Sequence, residues 1–286
     1  MIDKLILGTV QFGVDYGINN SIGKPSLNQT YDILSKAKEK GINTLDTADA
    51  YGNATEVIGG YLKEHPNSFS INTKFNHLNT PLRDQVIKSL EQLNCTVIEN
   101  FFFHNFNLYK TYPNTIDELS RLKEEKLIKN IGISVYENSE FEEAINNDII
   151  DVIQLPYNLL DNSNQRGELM ALAKKKNKSL QIRSVFLQGL FFMNLENING
   201  KLSKLNPYLL KLHEISKRFK IPMEHLALQY ATQQNLIDNV IIGIDSEDQL
   251  NNNILALNTI LSEEVIEEIN KINVREVELL YPKNWK

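Results

Sequence analysis

The feature that most constrains this chain is an alternation that runs its whole length. Eight short apolar runs with strand character are each followed by a segment of helical periodicity. Residues 5–7 precede 27–39, 44–46 precede 56–64, 69–74 precede 82–93, and 97–104 precede 116–125. Then 128–134 precede 141–146, 152–155 precede 168–176, 180–185 precede 208–219 with 223–233, and 240–244 precede 247–258. A further helix is expected at 263–270. Strands that alternate strictly with helices are the pattern of parallel βαβ units. Helix starts carry their own signals. Ser26-x-x-Gln29, Thr115-x-x-Glu118, Ser139-x-x-Glu142 and Ser246-x-x-Gln249 read as capping boxes, and Thr80-Pro81 as an N-cap before a first-turn proline. No G-x-G-x-x-G turn follows a strand, which argues against a Rossmann sheet. Eight βα units in 286 residues fit an α/β fold of one kind, a closed parallel (β/α)8 TIM barrel. Without any Pro/Gly/Ser-rich linker, residues 1–286 read as a single domain with an extra C-terminal helix.

Composition narrows the function classes. Apolar residues make up 42% of the chain, enough for a packed core, and 30 basic against 36 acidic residues leave a net charge of −6. That balance offers no general attraction to nucleic acid or to an anionic membrane. The lone cysteine, Cys95, cannot close an internal disulfide, no metal-ligand spacing appears, and no apolar run approaches a membrane span. The expectation is a soluble cytoplasmic protein.

In a barrel of this kind, chemistry gathers where strands end and βα loops begin. Three consecutive strands deliver Asp46, Lys74 and His104 to one rim, and Tyr51 lies five residues beyond Asp46. Taken singly, each has an ordinary structural reading: a turn-capping aspartate, a packed tyrosine, a solvated lysine, a satisfied histidine. Together they suit one reaction. A phenol with a pKa of ~10 donates a proton poorly unless its anion is stabilised. An ammonium lowers that pKa, a carboxylate pins the ammonium, and a histidine orients a carbonyl. Such a site supplies no hydride, so a cofactor is implied.

With these residues in place, the sequence resembles the aldo-keto reductase superfamily over essentially its full length. The resemblance is carried by Gly8-Thr9 with Gln11-Phe12-Gly13, by Leu45-Asp46-Thr47-Ala48-x-x-Tyr51-Gly52 with Glu56 and Gly59, and by Lys74 and His104. Ile131-Gly132-Ile133-Ser134, Gln154 with Tyr157-Asn158, Gln188-Gly189-Leu190, and Gly243 with Gln249-Leu250 and Asn253 add to it. The resemblance implies NAD or NADP bound across the barrel mouth, and reduction of an aldehyde or ketone with Tyr51 as general acid. It implies that Asp46 and Lys74 tune Tyr51 and that His104 orients the carbonyl. Ser134 and Gln154 then match positions that hold the nicotinamide carboxamide. Ser184, Phe186, Gln188 and Leu190 match the loop over the pyrophosphate. Thr9, Asp46, Gly243, Ile244, Gln249 and Asn253 complete the expected cofactor contacts.

Four departures mark this chain. Val135 stands where many relatives place an asparagine, and Arg183 stands where an aromatic ring usually stacks on the nicotinamide, so its guanidinium plane is the expected cofactor contact there. Few residues precede the first strand, so a hairpin at the barrel bottom is shortened or absent. The segment from Gly243 to Gln249 contains no Lys or Arg for a 2′-phosphate, so a strong preference for NADPH is not expected. The expected substrate-binding residues are Tyr51, His104, Asn105 and Phe191, with residues 281–285 as a further wall, suiting a small polar carbonyl compound such as a sugar derivative. Two other readings remain at this level: a Schiff-base lyase that uses Lys74, and a non-catalytic nicotinamide-binding regulatory subunit. The sequence does not name the substrate, the direction or the oligomeric state.

Overall fold

The computed structural model of the protein describes residues 1–285 except Ser21 and Pro113. Its strands are β1 (Leu5–Gly8), β2 (Thr44–Asp46), β3 (Ser70–Phe75), β4 (Ile98–Phe103), β5 (Ile128–Ser134), β6 (Val152–Pro156), β7 (Ser179–Arg183) and β8 (Asn239–Gly243). They form a closed barrel in chain order, every pair parallel, with β8 returning to β1. The helices that wrap it are α1 (Leu27–Glu39), α2 (Ala54–Glu64), α3 (Leu82–Gln92), α4 (Phe106–Thr111), α5 (Thr115–Glu124) and α6 (Asn138–Asn146). They continue with α7 (Ser163–Lys175), α8 (Asn206–Phe219), α9 (Met223–Thr232), α10 (Glu247–Ala256) and α11 (Glu263–Asn270). The expected barrel and its extra C-terminal helix are thus present.

Most boundaries follow local chemistry. Ser26 caps α1 in a full capping box with Gln29, and Ser246 caps α10 by accepting from the Gln249 amide. Three expected caps shift. Asn114 takes the position before α5, so Thr115 is its first helical residue, and Pro81 itself precedes α3. At α6 the reaching carboxylate is Glu140, which accepts from the backbone of Tyr136 and Glu137, rather than Glu142. Helix α7 begins five residues before the expected 168. The polar run Asn-Ser-Asn-Gln-Arg-Gly reads as loop, but tertiary partners hold it. Asn162 caps the helix while its amide donates to Ile269 and Ile272, and buried Arg166 pairs with Asp161 at 2.6 Å.

The barrel interior is unusually polar at its N-terminal end. Inward-facing carboxamides donate in one direction around four strands: Asn130 to Asn100 (2.9 Å), Asn100 to Asn72 (2.6 Å), and Asn72 to Gln181 (3.1 Å). Beneath them a polar cleft of about 620 Å³ opens at the strand starts. Residues before β1 form one 3-10 turn, Ile2–Lys4, whose Lys4 donates to carbonyls at 232 and 234. Above the ladder, Gly132 lets the Phe102 ring cross the barrel, because a Cβ there would lie 2.3 Å from that ring. The ladder and the ring form the floor beneath the strand ends that carry the functional side chains.

Asn72 is the joint of this ladder, accepting from one carboxamide and donating to another. Asn72→Ala strands two buried polar groups, and an unmade buried hydrogen bond costs about 1–3 kcal/mol per group. Urea denaturation is therefore expected to show a loss of at least about 2 kcal/mol. A loss below ~0.5 kcal/mol would mean that water replaces the side chain at no cost.

Candidate active site

Asp46, Lys74 and His104 leave the ends of β2, β3 and β4, and Tyr51 follows on the loop before α2. The structure brings all four together. Lys74 Nζ donates to Asp46 Oδ2 at 2.5 Å and to the Thr47 carbonyl at 3.0 Å, both partners fully out of solvent. Gln154 Nε2 donates to the other carboxylate oxygen, Asp46 Oδ1, at 3.0 Å. The ammonium lies 5.4 Å from the centre of the Tyr51 ring, and the His104 ring meets that ring edge-on at 5.9 Å. Two glycines seat the tyrosine. A Cβ at Gly13 would lie 1.7 Å from the Tyr51 carbonyl, and Gly52 turns the chain away at φ +56°, with room for no side chain. This geometry does not favour imine chemistry at Lys74, whose ammonium is committed to a buried carboxylate and a carbonyl.

Burial governs the protonation states. It raises the Tyr51 phenol well above the ordinary range, Asp46 adding to the rise and Arg183 opposing it. The sequence suggests that Lys74 lowers this pKa; in the structure Lys74 is paired with Asp46, and Arg183 is the cation that most opposes the rise. Burial also pulls Lys74 down, against its pairing with Asp46. His104 is pushed down to about 3 by burial, helped by the charges of Lys74 and Arg183, and is a neutral imidazole. Its Nδ1 is buried without a partner, which leaves Nε2 as the nitrogen open to the mouth.

The residues expected at the cofactor lie around the same rim. Thr9 donates to the Asp46 carbonyl at 3.0 Å, and Ser134 and Gln154 are buried beside each other at paired positions on β5 and β6. Past β7, Ser184, Leu187, Gln188 and Gly189 all hold positive φ, from 46° to 88°, which turns successive peptide groups over the mouth. Leu190 is buried, and Phe186 is half-buried against the core and against Phe192. Gln188 Nε2 donates to the Tyr16 hydroxyl at 3.0 Å, and its carbonyl accepts from Ile18, joining the β1 and β7 loops. At the end of β8 a Cβ on Gly243 would lie 2.2 Å from the Gln11 amide. Beyond it Ile244 and Asn253 are buried, and Gln249 is tied to Ser246 and to the Asp245 backbone. Asp245 Oδ1 and Gln11 Oε1 are buried acceptors without partners. Orphaned buried acceptors on either side of Gly243, where no side chain fits, suit the hydroxyl and amide donors of a bound dinucleotide.

The substrate side differs from expectation. Asn105 spends its side-chain oxygen capping α4, a helix the sequence reading missed although Asn105 is its signal. Phe191 is 1% exposed and packs into the core, so it is no open wall; Phe192 is the exposed ring. Tyr136 was not foreseen as part of the site. Its ring lies 4.0 Å under the Arg183 guanidinium and 5.2 Å from Tyr281 of the C-terminal tail, which does reach the mouth.

Fold and site together are those of a closed parallel (β/α)8 barrel that gathers a buried Asp46–Lys74 pair, Tyr51 and a neutral His104 at one rim. The model of the Aldo/keto reductase family matches residues 4–274, and the chain belongs to this family of nicotinamide-dependent oxidoreductases. It is 26% identical over 255 residues to the uncharacterized oxidoreductase YqkF of Bacillus subtilis, covering 81% of this chain and 83% of that one. It is 24% identical over 273 residues to the NADH-specific methylglyoxal reductase of Escherichia coli, with the same coverage of 81% and 83%. Among solved structures, the holo form of aldo-keto reductase AKR11C1 from Bacillus halodurans has the same fold, with a TM-score of 0.79 at 24% identity. That match covers 99% of this chain and 95% of the other.

A histidine held neutral down to about pH 3 leaves no titration in the working range. kcat/KM for carbonyl reduction should stay flat from about pH 8 to 5, without the inflection near 6.5 of a free imidazole. The folded pKa lies below the unfolded one, so the stability His104 contributes is fully present above ~6.5 and lost as pH falls towards 3. A pH–rate profile with an acidic limb near 6.5, absent from His104→Gln, would overturn this assignment.

Proposed function

We propose that the protein reduces an aldehyde or ketone with a nicotinamide dinucleotide, Tyr51 delivering the proton. The buried Asp46–Lys74 pair beneath a protonated Tyr51, beside a neutral His104, carries this reading. The bound dinucleotide supplies the hydride. A carbonyl oxygen between the Tyr51 hydroxyl and His104 Nε2 accepts from both, which polarises C=O and fixes its distance from the acid. As charge develops on that oxygen, Tyr51 releases its proton to it. The phenolate left behind is tolerable because Lys74 cancels the Asp46 charge below it and Arg183 adds a positive field. Ser134 Oγ and Gln154 Oε1 are placed to take the nicotinamide carboxamide, and the turned β7 loop to meet the pyrophosphate. Small polar carbonyl compounds fit this reading, as does the name of the Escherichia coli relative, a methylglyoxal reductase.

Tyr51→Phe removes only the hydroxyl and should keep fold and cofactor binding while lowering kcat/KM by about 10²–10⁴-fold, the scale of lost general-acid catalysis. A carbonyl screen that follows reduced-nicotinamide absorbance tests the activity itself. No turnover of any aldehyde or ketone, or near-normal turnover by Tyr51→Phe, would defeat the proposal.

In this reading the protein has no strong preference for NADPH over NADH. The helix-start amides of α10 are shared with the Ser246–Gln249 box, and the orphaned Asp245 Oδ1 is an acceptor suited to a ribose hydroxyl and hostile to a 2′-phosphate. The ratio of kcat/KM for NADPH over NADH should stay below about tenfold, or ~1.4 kcal/mol. Asp245→Arg should move it towards NADPH. A wild-type preference for NADPH of several hundredfold would show that this end of the groove has been misread.

A further inference from the structure

Arg183 ends β7 two residues beyond the inward-facing Gln181, so its side chain enters the barrel mouth. It is half-buried, yet no carboxylate among the described residues pairs with it. One guanidinium nitrogen donates to the Val135 carbonyl at 3.0 Å, and the remaining N–H groups have no acceptor among the described residues. The guanidinium carbon lies 4.0 Å from the centre of the Tyr136 ring. Lys283, on the C-terminal tail, places its ammonium 4.2 Å from the same ring centre and 6.0 Å from that of Tyr281, again with no carboxylate partner among the described residues. Two uncompensated cations therefore converge on one ring, in a protein of net charge −6.

The other charges around the mouth do not answer them. Asp46 is consumed by Lys74, and Asp161 by Arg166. Asp49 accepts from the Asn76 amide and faces His77 at 4.0 Å. The Arg183 field extends to Tyr51, Tyr16 and His104, so the unbalanced charge sits beside the acid. A planar guanidinium with free donors and a nearby ammonium match a carboxylate or a phosphate in geometry and in sign.

We infer that the carbonyl substrate carries an anionic group, a carboxylate or a phosphate, held by Arg183 and Lys283 while its carbonyl reaches Tyr51. This rests on the reductase reading for its second half, but the anion subsite does not. A substrate that met only Tyr51 and His104 would pivot about its carbonyl oxygen, and a second charged anchor fixes which face of the carbonyl is presented. The cations also draw such a substrate into a mouth that an overall negative protein would otherwise repel.

Two measurements on the NADH-loaded protein test it. Calorimetric titration with benzoate and with inorganic phosphate should show saturable binding of at least one, weakened about tenfold or more in Arg183→Gln and severalfold in Lys283→Ala, as for a lost charge-assisted hydrogen bond. Steady-state kinetics then compare matched probes: 4-carboxybenzaldehyde with benzaldehyde, and glyceraldehyde 3-phosphate with glyceraldehyde. At least one anionic member should be preferred by about tenfold or more in kcat/KM, mainly through KM, with the preference shrinking in both variants and at high salt. The pair that shows it tells carboxylate from phosphate. Lys211→Ala, which removes an exposed lysine of α8, should leave the preference intact. Equal rates for both pairs, or a preference that survives Arg183→Gln, overturns the inference. So does an Arg183→Gln variant that loses NADH affinity but binds both anions normally, since the guanidinium would then serve the cofactor alone. Anion binding that depends on Arg183, without turnover of any probe, keeps the subsite and defeats the reductase reading instead.

Discussion

The Lys74–Asp46 ion pair is the contact on which the site is built. Two charges out of water are costly, and a pair like this persists only where further hydrogen bonds complete it. Here Gln154 and the Thr47 carbonyl do so, which ties β2, β3 and β6 to one point. Removing either partner would leave a bare charge under the barrel mouth. Because the pair is internally neutral, it sets a floor with shape and hydrogen bonds but little net field. The groups above it are left to answer to other charges.

That neutrality explains the electrostatics of the proton donor. A buried phenol resists ionisation, and the nearby Lys74 ammonium is offset by the Asp46 charge that it pairs with. The field that does help comes from Arg183, across the mouth on β7. In the proposed reaction, proton delivery and recognition of a distant anionic group would both draw on this one guanidinium. A substrate anion seated there would weaken the field at the phenol, favouring its protonated form before reaction.

Much of this was legible in the sequence. The alternation of periods gave the barrel, because parallel βαβ units leave few alternatives, and Asp46, Tyr51, Lys74 and His104 could be placed on one rim from strand ends alone. What could not be read was which partners each would find. Asn105 looked like a pocket residue because its position is on the rim, yet its short side chain satisfies the start of α4. Phe191 and Phe192 are indistinguishable by type, and only packing decides which is inside. Arg166 sits in a polar run that resembles loop, and its burial depends on Asp161 and on backbone from another βα unit. Tyr136 and Lys283 are 147 positions apart in the chain, and nothing local announces their meeting.

The one-way ladder of carboxamides at the far end of the barrel bears on how this chain can change over time. The two inner members, Asn100 and Asn72, each accept from one neighbour and donate to the next, so the rungs are interdependent across β3, β4, β5 and β7. An apolar replacement at an inner rung spoils two joints and at an end rung one, whereas replacing all of them together would leave an ordinary greasy barrel floor. Drift from one solution to the other must therefore pass through less stable sequences, and substitutions at these four positions should show strong epistasis. The polar floor is a kind of historical lock: easy to keep, easy to imagine without, and hard to leave one step at a time.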